Sequence, residues 1–210
     1  MSQVTGIPGD ERVHIQVGAV RLECRVIADR WWYDSTPLTA VAGQVNFFQS
    51  IAGKNRDLAD FEGDKSLVKE EEYALIYGAV MYLLDLRPTA EVLELPAVPA
   101  VWAYLRRSYY EWQQNQAVVS RDNLLVLEGG SSYRVSGAAA LAAEAQPGDG
   151  RHDNMRKFWK PVLVTGGRSV DFYVYNQLAG TPENEKYKLM IRLYGLHLIP
   201  VGRVDTREGA

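Results

Sequence analysis

Hydrophobic and polar residues alternate along much of this chain, as in β-strands that have one buried side and one solvent-facing side. Near the start, Val13, Ile15 and Val17 alternate with polar residues. After Gly18, a second alternating run covers residues 20–26. The pattern therefore predicts two short strands joined by a turn at Gly18.

Alternation and apolar runs bounded by turn residues predict further strands later in the chain, at 38–50, 161–165, 170–175 and 187–193. Gly166-Gly167 predicts a tight hairpin, and Gly195 indicates a bulge in the last strand. Segment 70–86 is ambiguous, because its opening glutamates could begin a helix. Its content of Tyr, Ile, Val and Met favours a buried strand instead.

Two segments are candidate helices. The stronger is 96–116, where large apolar side chains recur at helical spacing: Trp102, Leu105, Tyr109 and Trp112. This helix could be short, with a strand starting at Tyr109. The alanine-rich segment 138–145 could form a second, smaller helix, because alanine is the best helix former.

The remaining segments complete a mainly β chain. Residues 34–37 and 51–69 predict loops, and the apolar run 124–127 predicts a short strand. The fold class expected is a jelly-roll β-sandwich of about eight antiparallel strands, with one or two short helices in insertions. We expect an N-terminal arm at 1–11 and a single domain at 12–205, with a loop and alanine-rich insertion at about 136–155.

Composition limits the function classes. The chain has 210 residues and a net charge of −3, so it lacks the basic excess that nucleic-acid binding needs. Its single cysteine, Cys24, excludes an intramolecular disulfide and fits a buried core thiol. The sequence shows neither a secretory signal nor an apolar run long enough to span a membrane.

Residue patterns for catalysis are weak. Ser131 and Ser132 after a glycine pair fit a turn better than a nucleophile, and no G-x-S-x-G motif occurs. The histidines His14, His152 and His197 are far apart in sequence and predict no metal site. We therefore expect no catalytic residues, no cofactor, no metal and no enzymatic activity.

The aromatic content is the most informative feature, with 5 Trp and 12 Tyr. Exposed Tyr and Trp often anchor protein interfaces. Tyr173 and Tyr175 oppose the predicted inward face of their strand, and Trp31 and Trp32 cannot both enter one core. These four residues are candidate subunit contacts, and ordinary core and sheet packing is the alternative.

Four stretches of the chain carry a family resemblance: 45–50 with Gly53-Lys54 and Asp60-Phe61, 72–78, 161–164 with 170–174, and 188–201. In this order they resemble the single jelly-roll major capsid proteins of icosahedral viruses with internal membranes. Those proteins build pseudo-hexameric capsomers from upright jelly rolls.

The resemblance implies a structural capsid subunit without catalytic residues, made in the host cytoplasm and located in the virion. Its partners would be copies of itself, with a second type of capsid protein and proximity to an internal viral membrane as open possibilities. Homo-oligomers and hetero-oligomers both fit. Two alternatives remain, a lectin-like carbohydrate-binding module and a cupin-like metal enzyme.

Overall fold

The structure, a computed structural model, describes residues 11–37, 43–52, 54, 59–63, 65–85, 105–114, 116–127, 155–176 and 187–203. The bounds of its strands are β1 Arg12–Val17, β2 Val20–Pro37, β3 Gly43–Phe47, β4 Ala59–Asp60, β5 Tyr73–Asp85, β6 Ser108–Gln114, β7 Ala117–Asn123, β8 Arg156–Thr165, β9 Val170–Asn176 and β10 Tyr187–Arg203. A turn of 3-10 helix at Leu124–Leu127 follows β7.

The strands form two antiparallel sheets. Sheet A has the order β1-β2-β10-β5-β8, with β4 paired to β2, and sheet B has the order β3-β9-β6-β7. The pairs are nested along the chain: β6 with β7, β5 with β8, β3 with β9, and β2 with β10. Successive pairs lie in opposite sheets, as when one long antiparallel ribbon is wound into a jelly roll. The predicted jelly-roll β-sandwich is therefore confirmed.

The core lies between the sheets and is rich in aromatic rings. Tyr110 stacks on Phe172 with ring centroids 5.4 Å apart, and Trp112 lies 5.3 Å from Phe158. Trp32 is fully buried in the same cluster. Burying side chains of this size stabilises the fold by about 1.5–3 kcal/mol each, so the inward rows of the strands hold the two sheets together.

Sheet A also carries an apolar cluster on its other face. Ala74 and Ile76 belong to the main core, whereas Tyr73 and Leu75, which alternate with them on β5, pack in a separate cluster. Because successive strand residues point to opposite faces, the second cluster lies on the outer face of sheet A. Its buried members are Ile15, Cys24 and Leu198. The buried free thiol agrees with the prediction for Cys24.

Several predicted strands are confirmed. β1 and the start of β2 follow the first two alternating runs, with Gly18 in the turn at φ +61°. Segment 70–86 contains the strand β5 at Tyr73–Asp85, and 170–175 lies in β9. Gly195 coincides with a register shift between β10 and β5, as a bulge requires.

The predicted loop at 34–37 is wrong, because β2 continues to Pro37 and pairs with β10 along this length. Asp34 is fully buried within this strand. Its carboxylate accepts hydrogen bonds from the backbone N–H groups of Ser35 and Phe48, at 2.8 and 2.7 Å, and pairs with Lys54. Buried partners therefore allow loop-forming residues to extend the strand.

The predicted helix at 96–116 is wrong from Ser108 onward, where the chain forms β6, so the alternative of a strand near Tyr109 is the one confirmed. Leu105 and Trp112 both enter the core, but from different elements, and their spacing imitated a helix. Residues 96–104 lie outside the described residues.

The predicted hairpin at Gly166-Gly167 is also wrong. The turn exists, but it joins β8 of sheet A to β9 of sheet B. Gly166 passes so close to another loop that a Cβ there would lie 1.6 Å from the carbonyl oxygen of Lys69. Gly167 has φ +69°. The glycines therefore serve a close loop contact and a left-handed turn, not strand pairing.

The predicted strand at 124–127 is a 3-10 turn in which Leu124 and Leu127, three residues apart, are both buried. Asn123 caps this turn by accepting a hydrogen bond from the Leu125 N–H at 2.9 Å. The helix expected at 138–145, residues 1–10 of the arm and residues 136–154 of the insertion lie outside the described residues.

Candidate interaction surfaces

Three tyrosines meet on the outer face of sheet B. Because Phe172 and Val174 of β9 enter the core, Tyr173 and Tyr175 project from the opposite face. Tyr109 of β6 pairs in register with Tyr175, and the two rings stack with centroids 4.7 Å apart. Tyr173 lies 6.0 Å from Tyr175. We call Tyr109, Tyr173 and Tyr175 the tyrosine cluster.

A carboxylate borders the tyrosine cluster. Register places Glu111 between Tyr173 and Arg121, and only 3% of Glu111 is exposed. Gln113 and Arg121 both donate hydrogen bonds to it. The Gln113 hydrogen bond, together with the hydrogen bond and charge of Arg121, outweighs desolvation and holds the pKa of Glu111 below its ordinary value. This carboxylate therefore stays ionised at neutral pH.

The phenols of Tyr173 and Tyr175 stay neutral at neutral pH. Burial raises the pKa of Tyr173 and Tyr175, and the charge of Asp171 adds to the shift at Tyr173. On the neighbouring strand β3, the exposed amides of Gln44 and Asn46 pair in register with Tyr175 and Tyr173. The surface thus combines flat aromatic rings with hydrogen-bonding groups at their edges.

The outer face of sheet A carries a second aromatic group, which we call the aromatic–arginine patch. Trp31 lies 4.9 Å from Tyr194 on the neighbouring strand. The guanidinium of Arg192 lies over two rings, 5.3 Å from Tyr33 and 4.7 Å from Tyr82. All five side chains are half-buried. Cation–π contacts hold the Arg192 guanidinium against the sheet, so its flat face forms part of the same surface as the aromatic rings.

No protein-family model, curated protein or solved structure matches this chain. What these surfaces do is therefore inferred from their own residues.

The structure separates the four predicted contact residues. Tyr173, Tyr175 and Trp31 lie on outer faces, as strand alternation indicated. Trp32 is 0% exposed in the main core, which rules out its side chain as a contact in this fold and corrects the prediction for that residue.

Sequence reasoning missed Tyr109, Arg192 and Trp159. The alternation of Tyr109 with the buried Tyr110 was a usable signal, but the helix prediction hid it. Trp159 is 96% exposed on β8, and cationic residues precede and follow it in the sequence Lys157-Phe158-Trp159-Lys160. That context, unusual for a core tryptophan, could have identified it.

One of the histidines is paired with a carboxylate: His197 and Glu72 share a hydrogen bond of 2.8 Å. Burial alone would raise the pKa of Glu72, but the hydrogen bond and charge of His197, together with the backbone N–H and charge of Lys69, outweigh it and lower that pKa. In the part of the chain that the structure describes, no group of three or more His, Cys, Asp or Glu could hold a metal ion. Within the same part, no helix is long and apolar enough to cross a membrane.

Proposed function

We propose that this protein is a structural protein, a virus capsid subunit that assembles with copies of itself into capsomers and an icosahedral shell. The observation that carries the proposal is that both outer faces of the jelly roll, and not only its core, present Tyr, Trp and Arg side chains. These are the residue types that most often supply the binding energy of protein interfaces.

The geometry suits lateral packing of upright rolls. The tyrosine cluster lies on the outer face of sheet B, and the aromatic–arginine patch lies on the outer face of sheet A. A roll that stands upright between two neighbours would bury one face against each of them. The resemblance to single jelly-roll capsid proteins supports the same arrangement, with the virion as location and a second type of capsid protein as an additional partner class.

Light scattering of the purified protein over a concentration range tests the proposal. We expect concentration-dependent assemblies, and we expect the double variant Tyr173→Ser/Tyr175→Ser to remain monomeric where the wild type assembles. Ile51→Ser is the matched control, because Ile51 is an exposed apolar residue outside both sheets. A wild type that is folded and yet stays monomeric at every concentration would contradict the proposal.

The tyrosine cluster favours one other function, carbohydrate binding. Sugar rings stack on flat aromatic faces while amides and carboxylates bond their hydroxyls, and the cluster has Gln44, Asn46 and Glu111 at its border. A glycan array followed by calorimetry tests this. Binding that is lost in Tyr175→Ala but kept in Trp31→Ala, from a protein that remains monomeric, would favour the carbohydrate-binding function over assembly.

A further inference from the structure

The edge strand of sheet A contains a bulge that projects a tryptophan. β8 pairs with β5 through Ile76↔Val162 and Gly78↔Lys157, so the residues 158–161 lie opposite the single residue Tyr77. An excess of residues on one strand bends it and redirects its side chains. Trp159 lies within this bulge and is 96% exposed.

Protection of the edge strand against unwanted strand pairing explains only some of the residues in this bulge. Bulges, lysines and prolines on an edge strand discourage unwanted strand pairing, which accounts for Lys157, Lys160 and Pro161. An exposed indole does not serve that purpose, because it adds apolar surface to the edge. Of the side chains that the structure describes, Trp159 is the one aromatic residue that is exposed. A tryptophan held in this way is typical of an interface anchor.

The outer face of sheet A carries an open pocket with apolar side chains in its lining. Its volume is about 520 Å³, and it lies at the margin of the second apolar cluster, beside the β1–β2 turn. Its apolar lining consists of Val17, Val20, Leu22, Tyr73, Pro200 and Val201. Val201 is 55% exposed. Glu71 lines the same pocket, and Glu70 beside it is also exposed.

We propose that Trp159 of one copy inserts into this pocket of a second copy. This inference rests on the proposed self-assembly and names one of its contacts. The pocket exceeds the size of an indole and offers it an apolar lining. The two lysines that flank the tryptophan, Lys157 and Lys160, complement in charge Glu71 of the pocket lining and its exposed sequence neighbour Glu70.

The contact joins two different surfaces of the same molecule. Trp159 is on the edge strand β8, whereas the pocket is lined by residues of β1, β2, β10 and the start of β5. Trp159 is not among the residues that line the pocket of its own chain and is 96% exposed, so each copy offers one tryptophan and one pocket to its neighbours. Such heterologous contacts close into rings or shells when the rotation between neighbours permits it.

Sedimentation velocity of wild type and Trp159→Ala gives the first test. We expect the variant to raise the dissociation constant of the assembly about thirtyfold, the effect of losing one hot-spot residue. If the wild type does not assemble, the proposed function itself fails. If the wild type assembles and Trp159→Ala assembles equally well, only the insertion of Trp159 is refuted.

Charge reversal gives the second test. The doubles Lys157→Glu/Lys160→Glu and Glu70→Lys/Glu71→Lys should each assemble poorly alone. A mixture of the two should recover assembly, because every tryptophan then meets a pocket of complementary charge. The control Arg106→Glu/Arg107→Glu makes a charge change of the same size immediately before β6 and should assemble like the wild type. Poor assembly of both doubles with no recovery in the mixture would overturn the pairing.

A third measurement separates a protein occupant from a lipid surface. Wild type and Trp159→Ala are co-sedimented with vesicles of mixed phosphatidylcholine and phosphatidylserine. Equal, weak binding of both is the expected result. Vesicle binding that depends on Trp159, combined with assembly that does not, would replace the second copy by a membrane as the partner of this tryptophan.

Discussion

Asp34 provides a direct test of how the C-terminal end of β2 is stabilised. Its side chain is 0% exposed, accepts hydrogen bonds from two backbone N–H groups and pairs with Lys54. Desolvation raises the pKa of this carboxyl, while the Lys54 ammonium and the two amides oppose that shift. The perturbation that we consider is Asp34→Ala.

The expected loss of stability follows from what the substitution leaves behind. Each buried N–H without an acceptor costs about 1–3 kcal/mol, and removing one member of a buried ion pair costs about 3–5 kcal/mol. These terms overlap, so we expect the free energy of unfolding to fall by about 3–5 kcal/mol. For a chain of this length, each kcal/mol shifts the melting temperature by roughly 2–4 °C, which gives a decrease of roughly 6–20 °C.

Urea unfolding followed by tryptophan fluorescence measures the effect. Asp60→Ala is the matched control, because Asp60 also pairs with a cation, Arg30 at 2.6 Å, but with a side chain that is 41% exposed where that of Asp34 is 0% exposed. A solvent-accessible pair contributes about 0–1 kcal/mol, so the control should lose far less stability than Asp34→Ala. Equal losses in Asp34→Ala and Asp60→Ala would refute the assignment of Asp34 as a buried, structurally essential carboxylate.

Three further predictions concern neighbouring features. Trp32→Ala should lower the free energy of unfolding by about 3–5 kcal/mol and Trp31→Ala by clearly less, and equal losses in urea unfolding would contradict their placement on opposite faces. Gly195→Ala should cost about 1–3 kcal/mol, because its Cβ would lie 2.3 Å from a backbone oxygen of β5, whereas Gly202→Ala, with open space around it, should be nearly neutral in thermal unfolding. The lowered pKa of Glu72 stabilises the fold above the ordinary value of 4.5, and this contribution is lost as the pH falls through the lowered pKa. Unfolding measured against pH should therefore be flatter below pH 4.5 in Glu72→Gln, and an unchanged slope would count against the His197 pairing.

Strand identity could be predicted where the hydrophobic period was clear. In β9, Phe172 and Val174 alternate with Tyr173 and Tyr175, and that pattern identified both the strand and two residues of the tyrosine cluster. Local alternation needs no knowledge of the partner strand, because the buried face of a strand follows from its own side chains.

Features that depend on tertiary pairing could not be predicted. The sequence around Gly166 has the composition of a hairpin, but its glycines are required by a loop that approaches from elsewhere in the fold. The bulge that exposes Trp159 is defined only by the register of β8 against β5. Tyr109 was missed for a related reason, since Leu105 and Trp112 share a core and not a helix, whereas Tyr109 lies on the outer face of sheet B and its helical spacing to them is coincidental.

The position of β10 links folding to the completion of the chain. This strand is the last of those described, yet it lies in the middle of sheet A between β2 and β5. Its register joins Leu22 to Arg203, so nearly the whole described chain must be synthesised before the centre of the sheet can form. Contacts between such distant segments fold slowly. A chain cut short before β10 would lack Arg192 and Tyr194, and with them the aromatic–arginine patch. The topology would thus exclude unfinished subunits from any assembly that uses this face.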